Sequence, residues 1–106
     1  MTPEREIGIS MSARIDPDSV LGEDAHIGEG VVVEPGCTIG DRVTIDHNTV
    51  IKAGTTIGDD VKIGANCTIS DASVLEDGVE IGNNSCIGPA TLRKGTKIGS
   101  LVHIAE

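Results

Sequence analysis

The 106-residue chain contains no Phe, Tyr or Trp. A conventional core of this size draws much of its buried area from aromatic rings, so their absence says that the interior excludes large planar side chains. Positive charge is scarce as well: eight Lys and Arg stand against seventeen Asp and Glu, a formal net charge of −9. Nucleic-acid and anionic-membrane partners, which are held by neutralising phosphate, are excluded on that balance. No stretch approaches the length of a membrane span, and the N-terminal MTPEREIGIS lacks a basic region followed by an apolar run. The expected location is cytoplasmic. Cysteine is limited to Cys37, Cys67 and Cys86, an odd number without C-x-x-C spacing. Neither a zinc knuckle nor a disulfide framework follows from that, and the three read as reduced thiols. No metal site is expected.

What the sequence does have is a repeat. From Ile9 onward every sixth residue is a large aliphatic, through Ile15, Leu21, Ile27, Val33, Ile39 and so on to Ile87. The residue two before each is small or β-branched after the first, as in Ala13, Ser19, Ala25, Val31, Cys37 and Val43. Side chains alternate across a strand, so these two positions share an inward face and the residue between them points out. Three residues after the aliphatic stand mostly Gly, Asn or Asp: Asp24, Gly30, Gly36, Asn48, Gly54, Asp60, Asn66, Gly78 and Asn84. Those residues tolerate positive φ and mark a corner every six residues. Near Pro89 the register slips by one, and the aliphatics continue as Leu92, Ile98 and Ile104. Proline is tolerated there because a corner needs no ladder hydrogen bond.

Motifs such as Ile27-Gly28-Glu29-Gly30-Val31-Val32 and Ile63-Gly64-Ala65-Asn66-Cys67-Thr68 resemble the hexapeptide repeats of bacterial acyltransferases. The resemblance covers residues 8–105 and implies a left-handed parallel β-helix, in which three hexads make one coil of a triangular prism. The expected architecture is all-β: one domain over residues 1–106, with 1–7 as an N-terminal cap and five to six coils after it. At roughly 4.8 Å per coil the solenoid is about 27 Å long. A narrow bore filled by stacked Ile, Leu and Val beside Ala, Ser, Thr and Cys accounts for the missing aromatics.

Sorting the outward residues by coil position separates three faces. One carries Gly8, His26, Thr44, Lys62, Glu80 and Lys97 and reads as solvated. Another carries Val20, Thr38, Thr56, Val74 and Thr91. The remaining face carries Val32, Val50, Thr68 and Cys86 in adjacent coils, with Arg14 and His103 at its ends. That apolar row is the expected subunit interface, and the family resemblance implies a homotrimer. The sequence stops at Val102-His103-Ile104-Ala105-Glu106, which leaves an uncovered parallel edge in a solenoid. Truncation from a longer protein and stacking on a partner are both consistent with it.

Of the three histidines, His26 and His103 follow the outward rule and read as surface residues, whereas His47 falls at a corner in Thr44-Ile45-Asp46-His47-Asn48. This segment resembles the Ile-Ala-His-Asn stretch of the acyltransferases that N-acylate UDP-glucosamine derivatives in lipid A synthesis. The resemblance implies that His47 is the general base, a role suited to imidazole, with Asn48 beside it. It also implies an acyl-CoA or acyl-carrier-protein donor and a sugar-nucleotide acceptor. Gly95 to Ala105 is similar to the segment leading into the catalytic histidine of the same enzymes, with Glu106 in the histidine's place. Ile87-Gly88-Pro89-Ala90-Thr91-Leu92-Arg93-Lys94-Gly95 is similar, less one residue, to a motif of the glucosamine-1-phosphate acetyltransferase. Two alternatives stay open. One is a non-catalytic, trimerising β-helix or a fragment of such an enzyme. The other is a γ-carbonic-anhydrase-like protein, whose ligand segment Val43 to Val50 resembles, although Lys52-Ala53-Gly54 stands where a second histidine would be required.

Overall fold

The structure, a computed structural model, describes residues 8–104; the expected cap of residues 1–7 and the terminal Ala105 and Glu106 lie outside the described residues. Sixteen two-residue strands follow one another, and no helix occurs among the described residues. Every strand consists of one outward residue and the large aliphatic that follows it, so the hexad pattern and the strand pattern coincide.

The strands stack in three parallel sheets. The first holds Arg14–Ile15, Val32–Val33, Val50–Ile51, Thr68–Ile69, Cys86–Ile87 and His103–Ile104. The second holds Val20–Leu21, Thr38–Ile39, Thr56–Ile57, Val74–Leu75 and Thr91–Leu92. The third holds His26–Ile27, Thr44–Ile45, Lys62–Ile63, Glu80–Ile81 and Lys97–Ile98. Val32 lies opposite Val50, eighteen residues on, so three hexads close one coil. From Val74 the partner is Thr91, seventeen residues on. The one-residue deletion at Pro89 is therefore absorbed in a single shortened corner, and both neighbouring sheets keep their register. The result is a left-handed parallel β-helix of about five coils.

The bore is filled as the repeat demands. Ile27, Ile39, Ile45, Ile51, Ile57, Ile63 and Ile69 are all buried, and each contributes about 2 kcal/mol relative to exposure. The small inward positions solve a second problem, because hydroxyls there bond from coil to coil. Thr49 Oγ1 donates to the Gly64 carbonyl at 2.6 Å and accepts from the Cys67 N–H at 3.2 Å. Ser19 and Ser85 do the same one or two coils away. Among the described residues no buried side-chain nitrogen or oxygen lacks a partner, which removes the usual cost of polar groups in a core. Cys67 donates from Sγ to the Gly82 carbonyl at 3.1 Å, and burial pushes its thiol above the usual range. Cys37 is buried too, whereas Cys86 is exposed.

All nine corner residues selected by the repeat adopt positive φ. Arg42, Ala72 and Leu101 do so as well, at 57°, 58° and 62°, and their residue types give no hint of it. The coil geometry imposes that conformation against a side-chain penalty of about 1 kcal/mol each. Arg42 recovers part of it, since Nε and Nη2 donate to the two carboxylate oxygens of Asp60 at 2.8 and 3.1 Å.

A different requirement explains the glycine directly after many aliphatics. Asp41, Asp59 and Asp77 form a ladder up one corner: Glu23 N–H donates to Asp41 Oδ1, Asp41 N–H to Asp59 Oδ1, and Asp59 N–H to Asp77 Oδ1, each at 2.8 Å. The carboxylates cross directly over Gly22, Gly40 and Gly58 of the preceding coil. A Cβ on Gly40 would lie 2.7 Å from the Gly58 carbonyl and against Asp59 Oδ1. Only a residue without a side chain lets the coils approach.

Two outcomes follow from this packing. Gly40→Ala should cost about 2 kcal/mol and lower the melting temperature, whereas Gly99→Ala, with nothing within 4 Å, should change it little. The hydrogen bond from Arg42 holds the Asp60 carboxyl below its ordinary value. Its contribution is thus present above the usual carboxylate range and lost as pH falls through the folded-state value. Between about pH 5 and about pH 3 the melting temperature of wild type should fall slightly more than that of Asp60→Asn.

Candidate functional site

The corner that joins the third sheet to the first is built from Asp46, His47, Asn48 and buried Thr49. Adjacent coils clamp its backbone from both sides: the Asn48 N–H donates to the Glu29 carbonyl at 2.8 Å, and the His47 carbonyl accepts from Asn66 N–H at 3.0 Å. Asn48 takes positive φ, 61°, which turns the chain toward Val50. The His47 ring is left exposed at the vertex of the prism.

The carboxylate of Asp46 curls back over the same corner. Its Oδ1 lies 3.0 Å from His47 Nδ1 and accepts the His47 backbone N–H at 2.8 Å. With Nδ1 as the donor, Nε2 carries the free lone pair and faces away from the carboxylate. A carboxylate–imidazole contact of this kind favours the tautomer with its hydrogen on Nδ1. In the sequence Asp46 is marked only by its position next to the histidine. Asn48 is placed differently: its Oδ1 lies over Gly30 of the preceding coil, and it shares no side-chain hydrogen bond with His47.

Gly28 lies beneath the pair. A Cβ there would approach the His47 nitrogen to 2.8 Å and the Asp46 carbonyl carbon to 3.1 Å. Beside it, on the third sheet, a groove of about 180 Å³ is lined by Gly8, His26, Ile27, Gly28, Thr44, Ile45 and Asp46. A wider groove of about 660 Å³ runs along the first coils, from Met11 to Asp16 and from Val32 to Pro35.

The row Val32, Val50, Thr68 and Cys86 is continuous along the first sheet through direct pairing, and His103 lies opposite Cys86 at its end. Val32, Val50 and Thr68 are half-buried. The second sheet presents no charged residue outward, and Val20 on it is 61% exposed. Charge is concentrated on the third sheet, where Lys97 approaches Glu80 at 3.9 Å, and on the corners. His26, His47 and His103 sit on separate elements, and among the described residues no group of three or more His, Cys, Asp or Glu could hold a metal ion. No helix of the described residues is long and apolar enough to cross a membrane.

Comparison with solved structures returns sugar-modifying transferases. PerB from Caulobacter crescentus, in complex with CoA and GDP-perosamine, is 28% identical with a TM-score of 0.67, over 92% of this chain and 49% of that one. The UDP-N-acetylglucosamine acyltransferase of Francisella novicida is 27% identical with a TM-score of 0.60, over 90% of this chain and 44% of that one. The acetyltransferase domain of PglB from Neisseria gonorrhoeae, in complex with acetyl coenzyme A, shares the fold at 22% identity and a TM-score of 0.55, over 92% of this chain and 50% of that one. The chain thus spans about half the length of these structures. No curated protein sequence matches it. The model of the bacterial transferase hexapeptide, six repeats, matches residues 8–41 and 36–71, and that of the hexapeptide repeat of succinyl-transferase matches residues 54–89. With the repeats, the three-sheet prism and these matches in agreement, the chain belongs to the bacterial transferase hexapeptide family.

Proposed function

We propose that this β-helix is the catalytic scaffold of an N-acyltransferase that moves an acyl group from acyl-CoA to the amine of an amino sugar or sugar nucleotide. The observation that carries the reading is the His47 ring, exposed at a clamped corner with Nδ1 3.0 Å from Asp46 Oδ1. PerB, bound to CoA and GDP-perosamine, supports the donor and acceptor classes. An acylated carrier protein supplies the same thioester and is the second donor to assay. Coenzyme A and reduced thiols both fit a cytoplasmic enzyme.

The chemistry needs one base. As the acceptor nitrogen attacks the thioester carbonyl, His47 Nε2 takes its proton and Asp46 stabilises the imidazolium. The tetrahedral intermediate then expels the thiolate, which receives that proton from His47, so an amide and a free thiol leave together. Asp46 is a positioning residue here: it acts through His47. Asn48 is the further site residue, beside His47 at the same corner, with its Oδ1 over Gly30.

Association supplies the walls of the site. The row Val32, Val50, Thr68 and Cys86 lies on the sheet next to the His47 corner, and packing it against a second copy in a closed homotrimer would set a cleft beside each histidine. Burying two valines yields about 3 kcal/mol per subunit, so the rest of the interface must contribute as well.

With acetyl-CoA and an amino-sugar nucleotide, His47→Ala should lower kcat by about a hundredfold or more, and Asp46→Asn by about tenfold with KM little changed. Equal rates for wild type and His47→Ala would end the His47 assignment, and no turnover in either would leave a non-catalytic, trimerising β-helix. Light scattering at micromolar concentration should give three times the 10.9 kDa chain mass. Val50→Asp should reduce it to a single chain; a monomeric wild type would remove the trimer.

A further inference from the structure

We propose that the groove on the third sheet is the pocket for the acceptor's sugar ring and that His26 is its binding residue at the far wall. This deepens the acyl-transfer reading and rests on it for the identity of the ligand. The groove and the catalytic corner share one residue. Asp46 lines the groove, and its Oδ1 lies 3.0 Å from His47 Nδ1. A ligand lying in the groove is therefore one residue away from the base in the chain.

Gly8 and Gly28 both line the groove, and a Cβ on either would run into backbone, 2.7 Å from the Ala25 carbonyl oxygen or 2.8 Å from the His47 nitrogen. Between them the aliphatics Ile27 and Ile45 point into the core, so the floor is backbone and the walls are the outward residues His26 and Thr44. About 180 Å³ has room for one ring rather than for a whole sugar nucleotide.

The polarity of the groove matches that ring. Asp46 contributes a carboxylate to the lining, His26 an imidazole and Thr44 a hydroxyl, which together offer donors and acceptors to the polar groups of a ring. Among the described residues neither His26 nor Thr44 has a side-chain hydrogen-bond partner, so both are open to a ligand. His26 is exposed, and its partner across the sheet is Thr44. Lys62 stands one strand further along the same sheet and does not line the groove, which makes it the natural control.

Initial rates with acetyl-CoA and either GDP-perosamine or UDP-glucosamine test the proposal on wild type, His26→Gln and Lys62→Gln, all of which should keep the wild-type melting temperature. His26→Gln should raise KM for the sugar nucleotide about five- to tenfold with kcat within about twofold, as expected for one lost ligand hydrogen bond. Lys62→Gln should leave both unchanged. In parallel, the His26 ring resonances of wild type should shift with GDP-perosamine or UDP-glucosamine and stay in place with GDP or UDP alone. An unchanged KM in His26→Gln, alongside an inactive His47→Ala, would overturn the groove and leave acyl transfer standing. Sugar-dependent shifts at His26 without turnover would keep the groove and remove acyl transfer. Shifts that are absent, or equal with GDP or UDP alone, would overturn the groove.

Discussion

No coil of this protein can bury its own aliphatic residues; each does so only against the coils above and below it. The coil-to-coil parallel ladder is therefore the constraint from which the rest descends. Strands of two residues are too short to be stable alone, yet the eighteen-residue period, seventeen across Pro89, places aliphatic on aliphatic and N–H on carbonyl from coil to coil. A single error of register would turn every inward residue outward. The chain tolerates its one deletion because the residue is lost from a corner, at Pro89, where no strand pairing is interrupted.

Close stacking of coils also dictates the chemistry of the surface. Where a corner Asp or Asn accepts an N–H of the preceding coil, as Asp41, Asp59, Asp77 and Asn83 do, glycine lies beneath it. The aspartate ladder over Gly22, Gly40 and Gly58 is one case. The His47 corner over Gly28 is another, with a different result. There the carboxylate of Asp46 turns to the adjacent imidazole rather than to the neighbouring coil. A structural device, a carboxylate at a corner, is converted by one histidine into a pair able to move a proton. The backbone beneath that pair is clamped by the coils on both sides.

The distribution of charge follows the same logic. Acidic residues gather on corners, where they accept backbone N–H groups or face water, and the first and second sheets are left nearly free of charge. A chain of net charge −9 thereby keeps flat neutral faces available for association. Membership of the bacterial transferase hexapeptide family accounts for the scaffold.

The fold was legible in the sequence because the inward positions recur with fixed period and the bore admits only a narrow range of sizes. The aliphatic series from Ile9, the corner residues from Asp24 to Asn84 and the slip at Pro89 all stand in the structure where the repeat put them. His47 was legible as an oddity among corner residues. What the sequence could not reveal were contacts made between coils rather than along the chain. The positive φ of Arg42, Ala72 and Leu101, which nothing in their side chains favours, is imposed by neighbouring layers. The steric need for Gly28 and Gly40 comes from residues eighteen or nineteen positions away. The Asp46–His47 pair and the groove that joins it to His26 depend on how one corner turns over the coil before it. Periodicity determines which residues go inside; only the stacked coils decide which outward residues meet.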